Sequence, residues 1–165
     1  MTDFKRLLQL LSASKVDFIL VGGMAATVHG ASRLTQDLDV VYSRARANLE
    51  RLVAALAPYQ PYLRGAPPGL PFRWNAETLE RGLNFTLTTT LGDLDLLGEI
   101  TGGGGYDDLV SRSSLIEVFG EDCRCLDLVT LIQVKRAAGR PRDLESIAEL
   151  EALLEEQRRF GPPDP

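Results

Sequence analysis

Residues 16–42 read VDFILVGGMAATVHGASRLTQDLDVVY, and no other segment indicates as much about the architecture of this chain. The first six residues are almost all apolar, which is typical of a central strand covered on both faces. Gly22 and Gly23 end that run. Residues 24–28 have the pattern of a short helix, and residues 37–42 read as a second strand. The segment therefore predicts a strand, a glycine turn, a short helix and another strand.

The remainder of the chain continues this mixture of helices and strands. Apolar residues at helical spacing predict helices, and alternating or apolar runs predict strands. The predicted helices begin after an N-cap at Asp3 and cover 45–56, 75–81, 128–138 and 143–157, and the predicted strands cover 84–90, 93–97, 115–119 and 123–126. Residues 60–71 are rich in proline and glycine and predict a mobile loop. This order of elements favours an α+β fold with helices packed against a sheet.

Bulk properties are those of one globular domain, since 165 residues with 44% hydrophobic and 25% charged side chains are ordinary values. We expect the domain to cover residues 1–158, with a core of about 1–100, a C-terminal extension of about 106–158 and a disordered tail at 159–165. The net charge of −5 argues against a broad basic surface for duplex nucleic acid. No apolar run reaches the ~20 residues of a membrane span, and the N-terminus lacks a signal-peptide layout. The sequence thus predicts a cytoplasmic protein with reduced cysteines.

Four aspartates carry the chemistry that the sequence suggests. Asp37 and Asp39 lie two residues apart in one predicted strand, and Asp93 and Asp95 repeat that spacing in another. Residues two apart in a strand point to the same face, so each pair aims at one point. Such a pair also occurs at solvated strand ends without any function. If the two strands are neighbours, however, up to four like charges meet, and a hard cation such as Mg²⁺ would offset their repulsion.

The glycine pair Gly22-Gly23 has two interpretations. The first is a tight strand-to-helix turn that needs the backbone freedom of glycine. The second is a phosphate site, because free amides at a helix N-terminus, with no side chain in front of them, approach a polyphosphate closely. The aspartates that follow favour the second interpretation, since a nucleoside triphosphate is held by both amides and metal ions.

Three segments together resemble the DNA polymerase β-type nucleotidyltransferase superfamily. The glycine pair followed by DLDVV is similar to its nucleotide-binding motif, and TTTLGDLDLLGEI, residues 88–100, is similar to the strand that supplies a third carboxylate. LIQVKRAAGRPRDLESIAELE, residues 131–151, resembles the C-terminal segment of small bacterial AbiEii-like and aminoglycoside- or lincosamide-nucleotidyltransferase-like proteins. The resemblance covers about residues 16–150. It implies a nucleotidyltransferase-like mixed β-sheet with flanking helices and a C-terminal helical pair.

The resemblance implies a role for each matched residue. Asp37 and Asp39 would bind two Mg²⁺ ions that bridge the nucleotide phosphates. Asp95 would help to bind the second ion and would take the proton of the acceptor hydroxyl. Gly22 and Gly23 would hold the β- and γ-phosphates.

Two cations are expected to offset the negative charge of a triphosphate in such an acidic cleft. Lys135 matches a lysine that the family places near the phosphates or the acceptor, and Arg33 precedes the acidic pair. Either side chain is also consistent with an ordinary solvated surface charge. Of the two later aspartates, Asp95 is preferred over Asp93 because it matches the position of the third carboxylate.

The implied reaction is a Mg²⁺-dependent transfer of a nucleoside monophosphate from ATP or another triphosphate to a hydroxyl. A hydroxyl attacks the α-phosphorus in line and pyrophosphate leaves. The acceptor stays open between a tRNA or RNA 3′ end, a protein side chain and a small molecule, and relatives include toxin-type enzymes. The alternative is an idle, antitoxin-like module that binds a nucleotide or a cognate partner protein. His29 is interpreted as a helix cap, and Trp74 as core packing or as a stacking surface for a base.

Overall fold

The computed structural model describes residues 1–161, which form a seven-stranded mixed sheet, a short two-stranded sheet and flanking helices. The helices are α1 Phe4–Ala13, α2 Gly22–Val28, α3 Arg46–Leu56, α4 Ala76–Arg81, α5 Tyr106–Leu109, α6 Leu128–Ala138 and α7 Pro141–Phe160. The strands are β1 Phe18–Val21, β2 Asp37–Tyr42, β3 Tyr62–Leu63, β4 Asn84–Thr89, β5 Gly92–Leu97, β6 Glu99–Ile100, β7 Gly104–Gly105, β8 Ser113–Val118 and β9 Glu121–Leu126. The predicted mixed sheet with flanking helices and a C-terminal helical pair is confirmed.

The main sheet has the strand order β3-β4-β5-β2-β1-β9-β8. Strand β2 pairs antiparallel with β1 and parallel with β5, so β1 and β2 lie near the middle of the sheet. Their apolar side chains are accordingly fully buried, as at Ile19 and Leu20. The central position of β1 and β2 explains the nearly continuous apolar run that introduces the glycine turn.

Two helices of the N-terminal half, α1 and α3, are fixed by hydrogen bonds of single side chains. The Asp3 carboxylate accepts a hydrogen bond from the backbone N–H of Arg6 at 3.0 Å and caps α1. In α3, the fully buried Asn48 donates to the carbonyls of Asp17 at 3.1 Å and Ser43 at 2.8 Å. Because a buried amide needs such partners, Asn48 ties α3 to the loop before β1 and to the end of β2.

Several boundaries differ from the sequence-based predictions. The loop at residues 60–71 contains the short edge strand β3, which pairs with β4. Helix α7 continues to Phe160, so Arg159 and Phe160 are helical rather than part of a disordered tail, and residues 162–165 lie outside the described residues. Within α7, the apolar side chain of Leu144 is 55% exposed. The buried stripe of α7 instead runs through Ile147 and Leu150, and Leu144 lies beside that stripe.

No helix within residues 1–161 combines the length and the apolar character needed to cross a bilayer. The longest, α7, has 20 residues, and its sequence is rich in glutamate and arginine. That composition suits a helix with one face on the protein and the other in water.

Candidate active site

Strand pairing brings the four aspartates together on one face of the sheet. In the parallel β2–β5 pair, Asp37 lies opposite Asp93 and Asp39 lies opposite Asp95. The intervening residues point to the other face, where they are at most 1% exposed; they are Leu38, Val40, Leu94 and Leu96. The two Asp-x-Asp pairs therefore form a compact group of carboxylates, held in place by the core beneath them.

Three of these carboxylates converge more closely than the fourth. One carboxylate oxygen from each of Asp37, Asp39 and Asp95 lies within 4.8 Å of the others. Asp93 is not part of this group, and its carboxylate faces Arg64 instead, at 3.4 Å from Nε. The three residues that the sequence assigned to metal binding are thus the three that the structure brings together.

The electrostatics of the cluster are those of crowded acids. Burial, followed by the neighbouring carboxyl of Asp95, raises the pKa of Asp39 to about 8. The same two causes raise the pKa of Asp37 above its ordinary value. A divalent cation would reverse both shifts, and three oxygen ligands of this kind suit Mg²⁺. The donor set therefore fits the metal that the resemblance implies.

The glycine turn lies directly beside the carboxylates, because Val21 at the end of β1 pairs with Asp39. Helix α2 starts at Gly22, whose φ of +66° lies in the left-handed region, and no side chain caps its first turn. A Cβ at Gly22 would overlap with Oδ2 of Asp39, and one at Gly23 would lie 2.8 Å from Oγ1 of Thr35. Both positions thus require glycine, and the lack of side chains leaves the amides of the first turn open.

A cavity of about 340 Å³ joins these features. The glycine turn and the three clustered aspartates form one side, and basic side chains from the loop after α2 and from the C-terminal helices form the other. All seven residues predicted to bind metal or nucleotide line it: Gly22, Gly23, Arg33, Asp37, Asp39, Asp95 and Lys135. Two further arginines, Arg140 and Arg142, add to the positive side.

The basic side of the cavity depends on the buried carboxylate of Asp143. Arg140 Nε donates to Asp143 Oδ2 at 2.6 Å, and Lys135 Nζ lies 3.9 Å from Asp143 Oδ1. Burial alone would raise the pKa of Asp143, but its bonds to Arg140 and the charge of Lys135 lower it. Burial lowers the pKa of Lys135, and Asp143 opposes that shift. Asp143 therefore orients both cations at the cavity wall.

Arg33 is held differently from these two cations. Its guanidinium lies 3.7 Å from the carboxylate of Glu145 on α7, and both side chains are more than half exposed. The neighbouring Ser32 donates from its backbone N–H and its hydroxyl to Glu149, at 2.8 and 3.0 Å. These contacts fasten the loop between α2 and β2 to the last helix, which forms the rim of the cavity.

A second cavity, of about 440 Å³, meets the first at the end of the sheet that carries Asp39. Six residues line both cavities: Gly22, Asp39, Leu97, Lys135, Arg140 and Asp143. The walls that belong to the second cavity alone are mainly apolar and come chiefly from β6 and α6, including Ile100, Leu131 and Val134, with Glu99 and Asn84 at polar positions. The carboxylates are therefore flanked by one basic compartment and one largely apolar compartment.

The position of Arg64 beside the aspartates was not predicted from the sequence. Its guanidinium lies 2.8 Å from Asp95 Oδ1, 3.4 Å from Asp93 Oδ1 and 3.6 Å from Asp37 Oδ2. Arg64 belongs to the segment that was interpreted as a mobile loop, and its surrounding prolines and glycines gave no indication of a fixed side chain. Only the pairing of β3 with β4 brings it to the aspartates.

Two other residues have structural contacts of their own. His29 Nε2 lies 2.8 Å from the carbonyl oxygen of Leu126, in the C-cap position of α2. Trp74 Nε1 donates to the carbonyl of Val53 at 3.0 Å, and the ring packs against the core. These contacts agree with the capping interpretation of His29 and the packing interpretation of Trp74, and neither residue lines the two cavities at the aspartates.

Two solved structures resemble this chain over nearly its whole length. The proposed nucleotidyltransferase TM1012 from Thermotoga maritima matches with a TM-score of 0.56 and 15% sequence identity, covering 94% of this chain and 96% of that one. The lincosamide antibiotic adenylyltransferase LnuA, solved with lincomycin bound, matches with a TM-score of 0.61 and 15% identity, covering 93% and 98%. No protein-family model and no curated protein matches the sequence. The chain therefore has the nucleotidyltransferase fold that the sequence predicts.

Proposed function

We propose that this protein is a Mg²⁺-dependent nucleotidyltransferase that moves a nucleoside monophosphate from a nucleoside triphosphate to a hydroxyl acceptor. The observation that carries the proposal is the convergence of Asp37, Asp39 and Asp95 within 4.8 Å, next to a glycine turn and opposite a basic wall. Phosphoryl-type transfer requires three components: acidic groups that bind metal, amides that bind phosphate, and cations that balance the charge of the polyphosphate. The nucleotidyltransferase fold adds further support.

Each residue has a distinct task in this proposal. Asp37 and Asp39 hold Mg²⁺, two ions being expected, and Asp95 completes the ligand set and accepts the proton of the attacking hydroxyl. Bound Mg²⁺ supplies charge compensation for the phosphates and lowers the pKa of that hydroxyl. The amides of Gly22 and Gly23 bind phosphate oxygens.

The acceptor is proposed to be a small hydroxylated molecule that binds in the apolar compartment. Its volume of about 440 Å³ lies in the range of small-molecule sites, and its walls come from α6 and the strand ends. One protein of this fold is a lincosamide antibiotic adenylyltransferase. The net charge of −5 is also less suited to a large RNA surface than to a small molecule. The 3′ end of tRNA and a protein side chain remain acceptors to test, as does a toxin role.

A second candidate function is the idle, antitoxin-like module. The observation in its favour is Arg64, whose positive charge already pairs with three of the four aspartates. In that case the protein would bind a partner without using metal ions. For either candidate we propose a cytoplasmic location, because the two cysteines are free and buried.

Nucleotide binding and turnover separate the two candidates. We would measure the thermal shift with ATP, CTP, GTP and UTP in turn, with Mg²⁺ and with EDTA, and then incubate labelled triphosphates with tRNA, protein and small hydroxylated acceptors. The nucleotidyltransferase is expected to show a Mg²⁺-dependent shift with at least one triphosphate and label on one acceptor. If no triphosphate shifts the melting temperature in Mg²⁺ and no acceptor is labelled, the enzymatic proposal is rejected.

Replacement of Lys135 by alanine is expected to weaken triphosphate binding. A hydrogen bond to a charged group contributes about 1.5–3 kcal/mol, so the KM for the triphosphate should rise roughly 10- to 100-fold. The matched control is Arg136→Ala on the same helix, because Arg136 is 56% exposed and pairs with Glu151 on the surface. Steady-state kinetics with varied triphosphate measure the effect. Equal KM values for the two variants would remove Lys135 from the nucleotide site.

A further inference from the structure

We propose that Arg64 is a permanent counter-cation of the carboxylate cluster: it holds Asp95 in position and limits how tightly the cluster binds divalent cations. The inference rests on the metal site of the proposed function, and it assigns a positioning residue to that site. It predicts that removal of the charge of Arg64 tightens the binding of divalent cations and lowers kcat. A guanidinium that only blocked the metal site, or one that only stabilised the fold, would not give both effects.

The contacts of Arg64 are too numerous for an incidental surface pair. Its guanidinium approaches the carboxylates of Asp37, Asp93 and Asp95, and only 27% of its side chain is exposed. Nη2 donates to Asp95 Oδ1 at 2.8 Å. Nε is buried and has no hydrogen-bond partner within residues 1–161, since its 3.4 Å approach to Asp93 is an ion pair without hydrogen-bond geometry. A buried N–H without an acceptor costs free energy, and the ion pairs with the three carboxylates act against that cost.

The main chain fixes Arg64 to the same strands that carry the aspartates. Its backbone N–H donates to the carbonyl of Thr86 at 3.0 Å, and Nη2 also donates to the carbonyl of Leu87 at 2.6 Å. Thr86 is the pairing partner of Asp95 across the antiparallel β4–β5 pair. Arg64 is therefore bonded to the strand that pairs with the strand of Asp95. A planar guanidinium held at several donors is well suited to orient a carboxylate.

Arg64 contacts the cluster without forming part of either cavity wall. It lines neither the basic compartment nor the apolar one, whereas Asp39 lines both. Asp39 is also the one aspartate of the four that has no ion pair with Arg64. The guanidinium thus pairs with Asp37 Oδ2 and Asp95 Oδ1 but not with Asp39, so Asp39 keeps its carboxylate unpaired with Arg64 where the two cavities meet.

The consequence for metal affinity follows from charge. A fixed positive charge beside the ligands repels an incoming divalent cation, and it also reduces the mutual repulsion of the carboxylates before the cation arrives. Removal of the charge should therefore tighten cation binding and destabilise the cation-free protein. At the same time Asp95 loses its 2.8 Å hydrogen bond and its orientation, so turnover should fall.

The test compares Arg64→Gln and Arg64→Lys with the matched control Arg46→Gln. Arg46 also pairs with three carboxylates, those of Glu50, Glu77 and Glu80, but on the exposed face of α3. We would titrate Mn²⁺ by calorimetry and measure kcat for nucleotidyl transfer. Arg64→Gln is expected to bind Mn²⁺ about 3- to 10-fold more tightly and to lose at least about tenfold in kcat. Arg46→Gln should leave both values unchanged.

Arg64→Lys separates charge from orientation. A lysine keeps the positive charge but lacks the planar fork, so Mn²⁺ affinity should stay within about twofold of the parent while kcat falls. The inference is overturned if Arg64→Gln binds Mn²⁺ equally or less tightly, or if Arg64→Lys retains the parent kcat. Should Arg64→Gln fail to fold, the lysine variant decides on its own. If no variant or parent transfers a nucleotide, the Mn²⁺ titrations still decide the inference while the proposed function fails.

Discussion

Replacement of Asp37 or Asp39 by asparagine is expected to reduce nucleotidyl transfer at least about 10³-fold, because either change removes a charged ligand from the group that would hold the metal ions. The amide has the size of the carboxylate, so the packing of β2 is preserved. Transfer of labelled nucleotide to the acceptor measures the effect. Asp122→Asn, at an exposed position of β9, is the control for loss of a negative charge elsewhere. A variant at position 37 or 39 with activity close to that of the parent would contradict the proposed mechanism.

The same Asp39→Asn variant should be more stable than the parent in EDTA. The pKa of Asp39 is raised to about 8 by burial and by Asp95, whereas an aspartate in the unfolded chain has a pKa of about 3.9. Between these values the folded protein keeps a proton that the unfolded chain has lost, so the stability of the parent falls as the pH rises from about 4 to about 8.

Asparagine removes this loss of stability. At pH 7 we expect a gain of about 1 kcal/mol, or roughly 2–4 °C in melting temperature for a domain of this size. The dependence of stability on pH over the same range should also become flatter. Thermal melts between pH 5 and 8 test this. A lower melting temperature for Asp39→Asn would show that the cluster is not under electrostatic repulsion.

Replacement of Gly22 by alanine is expected to have the second large effect. Alanine at a φ of +66° costs about 1 kcal/mol, and its Cβ would overlap with Oδ2 of Asp39. Because α2 packs directly on β1 and β2, the clash cannot be relieved without moving either the helix or the carboxylate. We expect a loss of a few kcal/mol in stability and of at least about 100-fold in activity.

Gly120→Ala is the matched control for backbone strain. Gly120 has a φ of +81°, yet no atom of the described part of the chain lies within 4 Å of the position that its Cβ would take. This variant should lose only about 1 kcal/mol and keep full activity. Denaturant unfolding and transfer assays on both variants separate the two costs. If Gly22→Ala resembles Gly120→Ala in both measurements, the close approach of the glycine turn to Asp39 has no functional meaning.

Local patterns in the sequence predicted much of the fold. The bounds of β2 and α6 agree with the predicted ranges. Strand β2 has an acidic start followed by apolar residues, and α6 has a helical repeat that ends at Gly139. Each signal involves only residues that are close together in the sequence. Strand pairing is not local. Whether β5 lies beside β2, and whether Asp39 meets Asp95, depends on contacts between residues more than 50 positions apart.

The parts of the site that could not be predicted depend on such distant contacts. Arg64 reaches the aspartates only because a two-residue strand pairs at the edge of the sheet, and a segment rich in proline and glycine gives no periodic pattern for so short a strand. Asp143 lies in the first turn of a helix rich in glutamate, yet it is 3% exposed because it lies against Arg140 and Lys135. The division of residues 1–158 into core and extension stays a prediction.

The central claim is that Asp37, Asp39 and Asp95 bind divalent cations that hold a triphosphate at the glycine turn. The most direct test is anomalous diffraction from crystals grown with Mn²⁺ and a non-hydrolysable triphosphate. We predict Mn²⁺ peaks coordinated by these three carboxylates, with the phosphates beside Gly22 and Gly23. The claim is contradicted if Mn²⁺ and the nucleotide bind elsewhere and the guanidinium of Arg64 remains the cation nearest to the three carboxylates.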